Sequence, residues 1–154
     1  MFYLITVVAL LFLWVGPAFS ENKVIPIDSN GIKEIIESGD CPILMVATAA
    51  WCAPCRVELP ILNKLYLKYK DKGLKLVAIS LDMHPQDMQH IVNKLDLKFP
   101  VYWGSERMAF EYRIFGMPTL LIAKEGKISE RIVGTRPEQF LEEKISELFT
   151  SCQS

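Results

Sequence analysis

Apolar and polar positions run along this chain in two rhythms. From Pro42 to Thr48, and again from Leu74 to Leu81, apolar residues follow one another with little interruption. A strand buried on both faces of a sheet has this pattern. Between the two runs, Ile61, Leu62, Leu65, Tyr66 and Tyr69 fall at helical spacing, which predicts a helix from Ala53 to Lys70. Pro60 lies inside it and is expected to kink it, and Gly73 ends it. Upstream, Val24 to Ile27 reads as an edge strand. Asp28 and Ser29 can cap a helix over 31–38 whose inner face is Ile32, Ile35 and Ile36.

Downstream, Met88, Ile91, Val92 and Leu95 make a stripe on a helix from Pro85 to Leu95. A short strand over 99–103 and a short helix over 106–113 follow. Two strands, 119–123 and 127–133, flank Lys124-Glu125-Gly126, a hairpin signature. Thr135-Arg136-Pro137-Glu138 has the spacing of a capping box opening a last helix, with Leu141, Ile145 and Leu148 inward. Strands that cross over through helices, then a closing hairpin and helix, predict an α/β sandwich around one mixed sheet.

Composition narrows the partners. The 154 residues carry 17 Lys and Arg against 18 Asp and Glu, with no block of like charge. That length suits one domain, and no nucleic-acid footprint exists. Nothing demands a second copy, so a monomer is expected. Residues 1–20 stand apart: Phe2 to Val15 is apolar but for one Thr, Gly16-Pro17 break the run, and Ala18-Phe19-Ser20 has small residues at signal-peptidase spacing. No Lys or Arg precedes the run. It reads as a secretory signal cleaved after Ser20, or else as an N-terminal membrane anchor. Either leaves residues 21–154 as a domain outside the cytoplasm.

The chemistry lies at Trp51-Cys52-Ala53-Pro54-Cys55, where a buried strand gives way to a helix. Two cysteines at this spacing can close a small disulfide, and helix N-terminal amides stabilise a thiolate on the first. Cys41 and Cys152 are left over, and four cysteines permit three pairings.

Trp-Cys-x-Pro-Cys, followed much later by Gly116-Met117-Pro118-Thr119 entering a strand, resembles the thioredoxin superfamily over residues 23–150. The extra helix and strand at 84–104, with Cys55-Arg56-Val57-Glu58-Leu59-Pro60, is similar to the TlpA/ResA/DsbE-like branch of extracytoplasmic thiol-disulfide oxidoreductases. The resemblance implies a thioredoxin-like three-layer sandwich with a TlpA-type helix–strand insertion. It also implies reduction of disulfides in exported proteins, apocytochrome c among them, by electrons that a membrane donor relays from thioredoxin. No cofactor and no metal are implied.

Residue by residue, the resemblance makes Cys52 the exposed nucleophile and Cys55 the buried resolving thiol. Pro118 becomes a cis-proline facing the dithiol, with the Met117 backbone free to pair with substrate. Trp51 flanks the pair, either as a shield or as ordinary packing. Glu58 stands where the branch keeps a proton-carrying glutamate, and a solvated glutamate near a helix N-terminus is the plainer alternative. The aspartate that plain thioredoxins bury on the preceding strand is replaced by Val46. In the fold so implied, Cys41 and Cys152 fall at the end of the sheet opposite the dithiol, where a structural disulfide and two separate thiols are both open.

A disulfide oxidase or isomerase is the competing activity. DsbA-like oxidants place a histidine just before the second cysteine, where this chain has Pro54. A peroxidase would need a suitably placed threonine, and Thr48 is not. A non-catalytic, metal-carrying relative would use His84, at the active-site edge of the sheet, with the cysteine pair; copper carriers of the superfamily space their cysteines more widely. His90 reads as an outward-facing helix residue.

Overall fold

The computed structural model describes residues 22–39 and 41–152, so the expected leader at residues 1–20 lies outside the described residues. Their elements are β1 (Ile25–Pro26), α1 (Ser29–Glu37), β2 (Ile43–Thr48), α2 (Ala53–Tyr69), β3 (Lys75–Ser80), α3 (Pro85–Leu95), β4 (Val101–Trp103), α4 (Arg107–Glu111), β5 (Thr119–Lys124), β6 (Lys127–Val133) and α5 (Glu138–Cys152). A single turn of 3-10 helix, Lys70–Lys72, follows α2 and ends on Gly73 at φ 96°. α1 starts earlier than its apolar spacing suggests because the Asp28 side chain accepts the Gly31 N–H at 2.8 Å and caps it. α2 runs through Pro60, which sits on its exposed side.

The six strands lie in the order β1-β4-β3-β2-β5-β6. β1, β4, β3 and β2 are parallel, whereas β5 runs antiparallel to both β2 and β6. β4 lies between β1 and β3, so the extra helix and strand widen the sheet rather than hang from it.

Two cores follow from the two-residue period of β2. Leu44 and Val46 face the side covered by α2, α3 and α5, packing with Leu59, Leu62, Phe99 and Ile145. Met45 and Ala47 face the other side, with Ile32 and Ile36 of α1 and Met108 of α4. Helix, sheet and helix make the three layers.

Local chemistry closes the far end. Glu125 and Gly126 have φ of 54° and 72°, the two positive values a type I′ hairpin turn requires. Lys124 accordingly joins its strand, paired with Lys127. The capping box does not form as expected. Thr135 Oγ1 donates to the Pro54 carbonyl at 3.4 Å, and Glu138 takes the Lys64 ammonium at 2.7 Å. Both side chains are drawn from α5 to α2, because tertiary partners compete with the local cap. At the end of the sheet opposite Cys52, Cys41 and Cys152 are joined as a disulfide with Cα atoms 4.8 Å apart.

Candidate active site

β2 runs out at Thr48, and residues 49–51 carry the chain to the start of α2. Cys52 is the N-cap of that helix: its backbone is extended, and its Sγ accepts the Cys55 N–H at 3.2 Å. Pro54 falls in the first helical turn, where its missing N–H has no intrahelical partner to lose. Cys52 and Cys55 are joined as a disulfide, with Cα atoms 5.3 Å apart.

Cys55 is fully buried and Cys52 is only 5% exposed. The expectation of an openly exposed nucleophile needs correcting. Ala49 and Met117 pack against the pair and leave Cys52 a narrow opening. That opening gives onto a cavity of about 510 Å3 lined by Trp51, Cys52, Pro54, Leu81, Phe115 and Met117, among others. Cys55 is not among its lining residues. Trp51 is 67% exposed and Phe115 89%, so Trp51 is not core packing; both stand beside the dithiol as open apolar surface.

The opposing wall is the loop entering β5. The Met117–Pro118 peptide is cis. The Pro118 carbonyl accepts the Gly134 N–H at 2.7 Å, and Thr119 Oγ1 donates to the Gly116 carbonyl at 2.6 Å. Both bonds fasten this loop in front of the cysteines.

Glu58 lies one helical turn beyond Cys55 and is completely buried. The solvated-glutamate alternative is therefore overturned: α2 turns this face inward, beneath the loop that leads into α5. Oε1 accepts the Arg136 N–H at 2.9 Å, whereas Oε2 has no hydrogen-bond partner among the described residues. Burial pushes the carboxyl above its ordinary range, with the Arg136 amide and guanidinium pulling the other way. A buried carboxyl with one uncommitted oxygen is equipped to hold and release a proton.

Two residues of this site were not singled out from the sequence. Arg136, 78 positions from Glu58, supplies the hydrogen bond to its Oε1. Asp82, just past β3, is buried and accepts the Ala50 N–H. Only a Leu81-Asp82 strand ending marked Asp82 in the sequence. His84 is exposed at the start of α3, and His90 is exposed on the same helix. Among the described residues, no three His, Cys, Asp or Glu side chains gather as metal ligands would, and no helix is long and apolar enough to cross a membrane.

The sheet order, the disulfide at a helix N-terminus and the cis-proline loop before it define a thioredoxin-like protein. The chain belongs to the AhpC/TSA family, whose model matches residues 27–131. It is 38% identical over 94 residues to the thiol-disulfide oxidoreductase ResA of Bacillus thuringiensis (strain Al Hakam), a match covering 60% of this chain and 54% of that protein. The match thus spans about half the length of that relative. A ResA from Oceanobacillus iheyensis is 30% identical over 148 residues, covering 85% of this chain and 77% of the relative. Among solved structures, a Chlorobium tepidum protein assigned as a thiol:disulfide interchange protein DsbE superposes with a TM-score of 0.65 at 30% identity, over 71% of this chain and 81% of its own. StoA from Bacillus subtilis gives 0.60 at 26% identity, over 68% and 81%.

Proposed function

We propose that this chain is an extracytoplasmic thiol-disulfide oxidoreductase that reduces disulfides in exported proteins. Its substrates include the haem-attachment cysteines of apocytochrome c, and a membrane protein relaying electrons from thioredoxin re-reduces it. The observation that carries the reading is the Cys52–Cys55 disulfide at the α2 N-terminus, with a buried Glu58 one turn behind it. The names of the ResA relatives support the reaction class. Export is supported by the signal-like residues 1–20 and by a second disulfide, Cys41–Cys152, a kind of bond that persists in oxidising compartments.

In the reduced enzyme the Cys52 thiolate attacks one sulfur of a substrate disulfide. That S–S bond breaks, the other substrate sulfur leaves as a thiolate, and a mixed disulfide joins Cys52 to substrate. Cys55 then gives its proton to the Glu58 carboxylate and attacks Cys52 Sγ. The mixed disulfide breaks, the second substrate thiolate leaves, and the two leaving thiolates take up two protons. Substrate gains two electrons, and the Cys52–Cys55 bond holds the oxidised state. Replacing Cys55 by Ser should stop the cycle at the mixed disulfide. Covalent adducts on Cys52, resolved by non-reducing electrophoresis and released by thiol, are the expected result. No adducts, with metal retained by wild type and lost by the variant, would instead identify a carrier.

A further inference from the structure

Asp82 is 1% exposed and takes no direct part in the exchange just described. Its Oδ1 and Oδ2 accept the Ala50 N–H at 2.9 and 3.0 Å, and Oδ2 also accepts the Ser80 hydroxyl at 2.7 Å. Ser80 Oγ takes the Asp82 N–H at 3.3 Å, which directs the hydroxyl proton to the carboxylate. Trp103 Nε1 fixes the Asp82 carbonyl at 2.7 Å. Every contact to the carboxylate oxygens is a donor, as an ionised carboxylate requires. Among the described residues, no ion pair reaches it. The other end of Ala50 is held as well: its carbonyl accepts Arg56 Nη1 at 2.6 Å. Cys52 follows two residues later, its own N–H bonded back to the Ala49 carbonyl at 3.1 Å.

We infer that Asp82 and Arg56 are positioning residues that hold the dithiol loop through Ala50 and bias the Cys52–Cys55 equilibrium in opposite directions. The inference rests on the dithiol chemistry proposed above. Reduction of the pair adds two electrons and leaves a thiolate on Cys52, the form stabilised at a helix N-terminus. A buried carboxylate bonded to Ala50, two residues and at most about 7 Å of chain away, opposes that new negative charge and favours the disulfide. Arg56 favours the thiolate, more weakly, because its side chain is exposed and screened.

The test equilibrates the full chain, wild type and variants, against glutathione redox buffers. Asp82→Asn keeps an oxygen for the Ala50 N–H and removes the charge. It should shift the equilibrium toward the dithiol by about tenfold, which is about 30 mV for a two-electron couple. Arg56→Gln should shift it toward the disulfide by about twofold. A pure packing role for Asp82 would leave the equilibrium constant at the wild-type value, which overturns the inference, as would shifts of the same sign in both variants. If Asp82→Asn does not fold, the surface variant Arg56→Gln decides: a shift toward the disulfide supports the inference, and no shift or the reverse overturns it. A wild-type pair that does not titrate reversibly overturns the dithiol reading itself, a separate outcome visible before any variant is compared.

Discussion

Glu58 holds one oxygen on the Arg136 amide and leaves the other without a partner among the described residues. This asymmetry suits a proton carrier: one atom fixes the group and the other stays available. Replacing Glu58 by Gln keeps the shape and the Arg136 bond but cannot take the Cys55 proton. Resolution of the mixed disulfide should slow by about 100-fold, as for loss of a general base, while the first attack by Cys52 is little changed. Stopped-flow exchange with a model disulfide reads both steps. The same group acts on stability. Its folded pKa is raised above the ordinary 4.5, so the folded state binds the extra proton. Its contribution is complete below pH 4.5 and is lost as pH rises through the raised value. Wild type minus Glu58→Gln, measured by chemical denaturation, should therefore fall across that window, and a flat difference would contradict the burial argument. The cysteine pair was legible at this scale because Trp51-Cys52-Ala53-Pro54-Cys55 is a contiguous signal. The Arg136 and Asp82 contacts were not, since each joins residues remote in the chain and no local pattern encodes such a meeting.

Hydrophobic patterning marked α1, β2, α2, β3, α3 and α5, because burying apolar residues is what makes these segments fold, whereas the 3-10 turn Lys70–Lys72 after α2 was not expected. The hairpin between β5 and β6 was legible from the Lys124-Glu125-Gly126 signature instead, and its turn has positive φ at Glu125 and Gly126. The start of α5 shows where that logic stops. Thr135 and Glu138 have capping spacing, yet they bond to Pro54 and Lys64 on α2. Tertiary partners won because α5 lies along α2, with Lys68 and Tyr69 both bonded to Glu142. Those ion pairs are largely solvent-exposed and screened, so they hold the two helices together only weakly. The bond from Cys41 to Cys152 restrains α5 more firmly. It closes a loop with a sequence separation of 111, so in the chain-entropy model Cys152→Ser should cost about 4–5 kcal/mol. Urea denaturation checks this, and a loss below about 1 kcal/mol would show that the helix docks without the bridge.

Across the whole molecule, the mixed sheet brings together parts that the chain keeps far apart. β2 delivers the cysteines, β3 delivers Asp82 beside them, the loop into β5 delivers Pro118, and the turn after β6 delivers Arg136. Alternation and run length could announce the sheet and its layers. They could not show that Cys52 would be almost covered, because that depends on how Met117 closes over it from the far side of the sequence. The assembled site has an apolar opening, a helix N-terminus and a buried carboxyl, and in the proposed function it donates electrons. The reduction potential of the Cys52–Cys55 pair, equilibrated in defined thiol buffers, tests that direction most simply. A value near that of thioredoxin, about −270 mV or lower, is predicted for a reductant. A value near that of DsbA, about −120 mV, would contradict it and make the protein a disulfide donor.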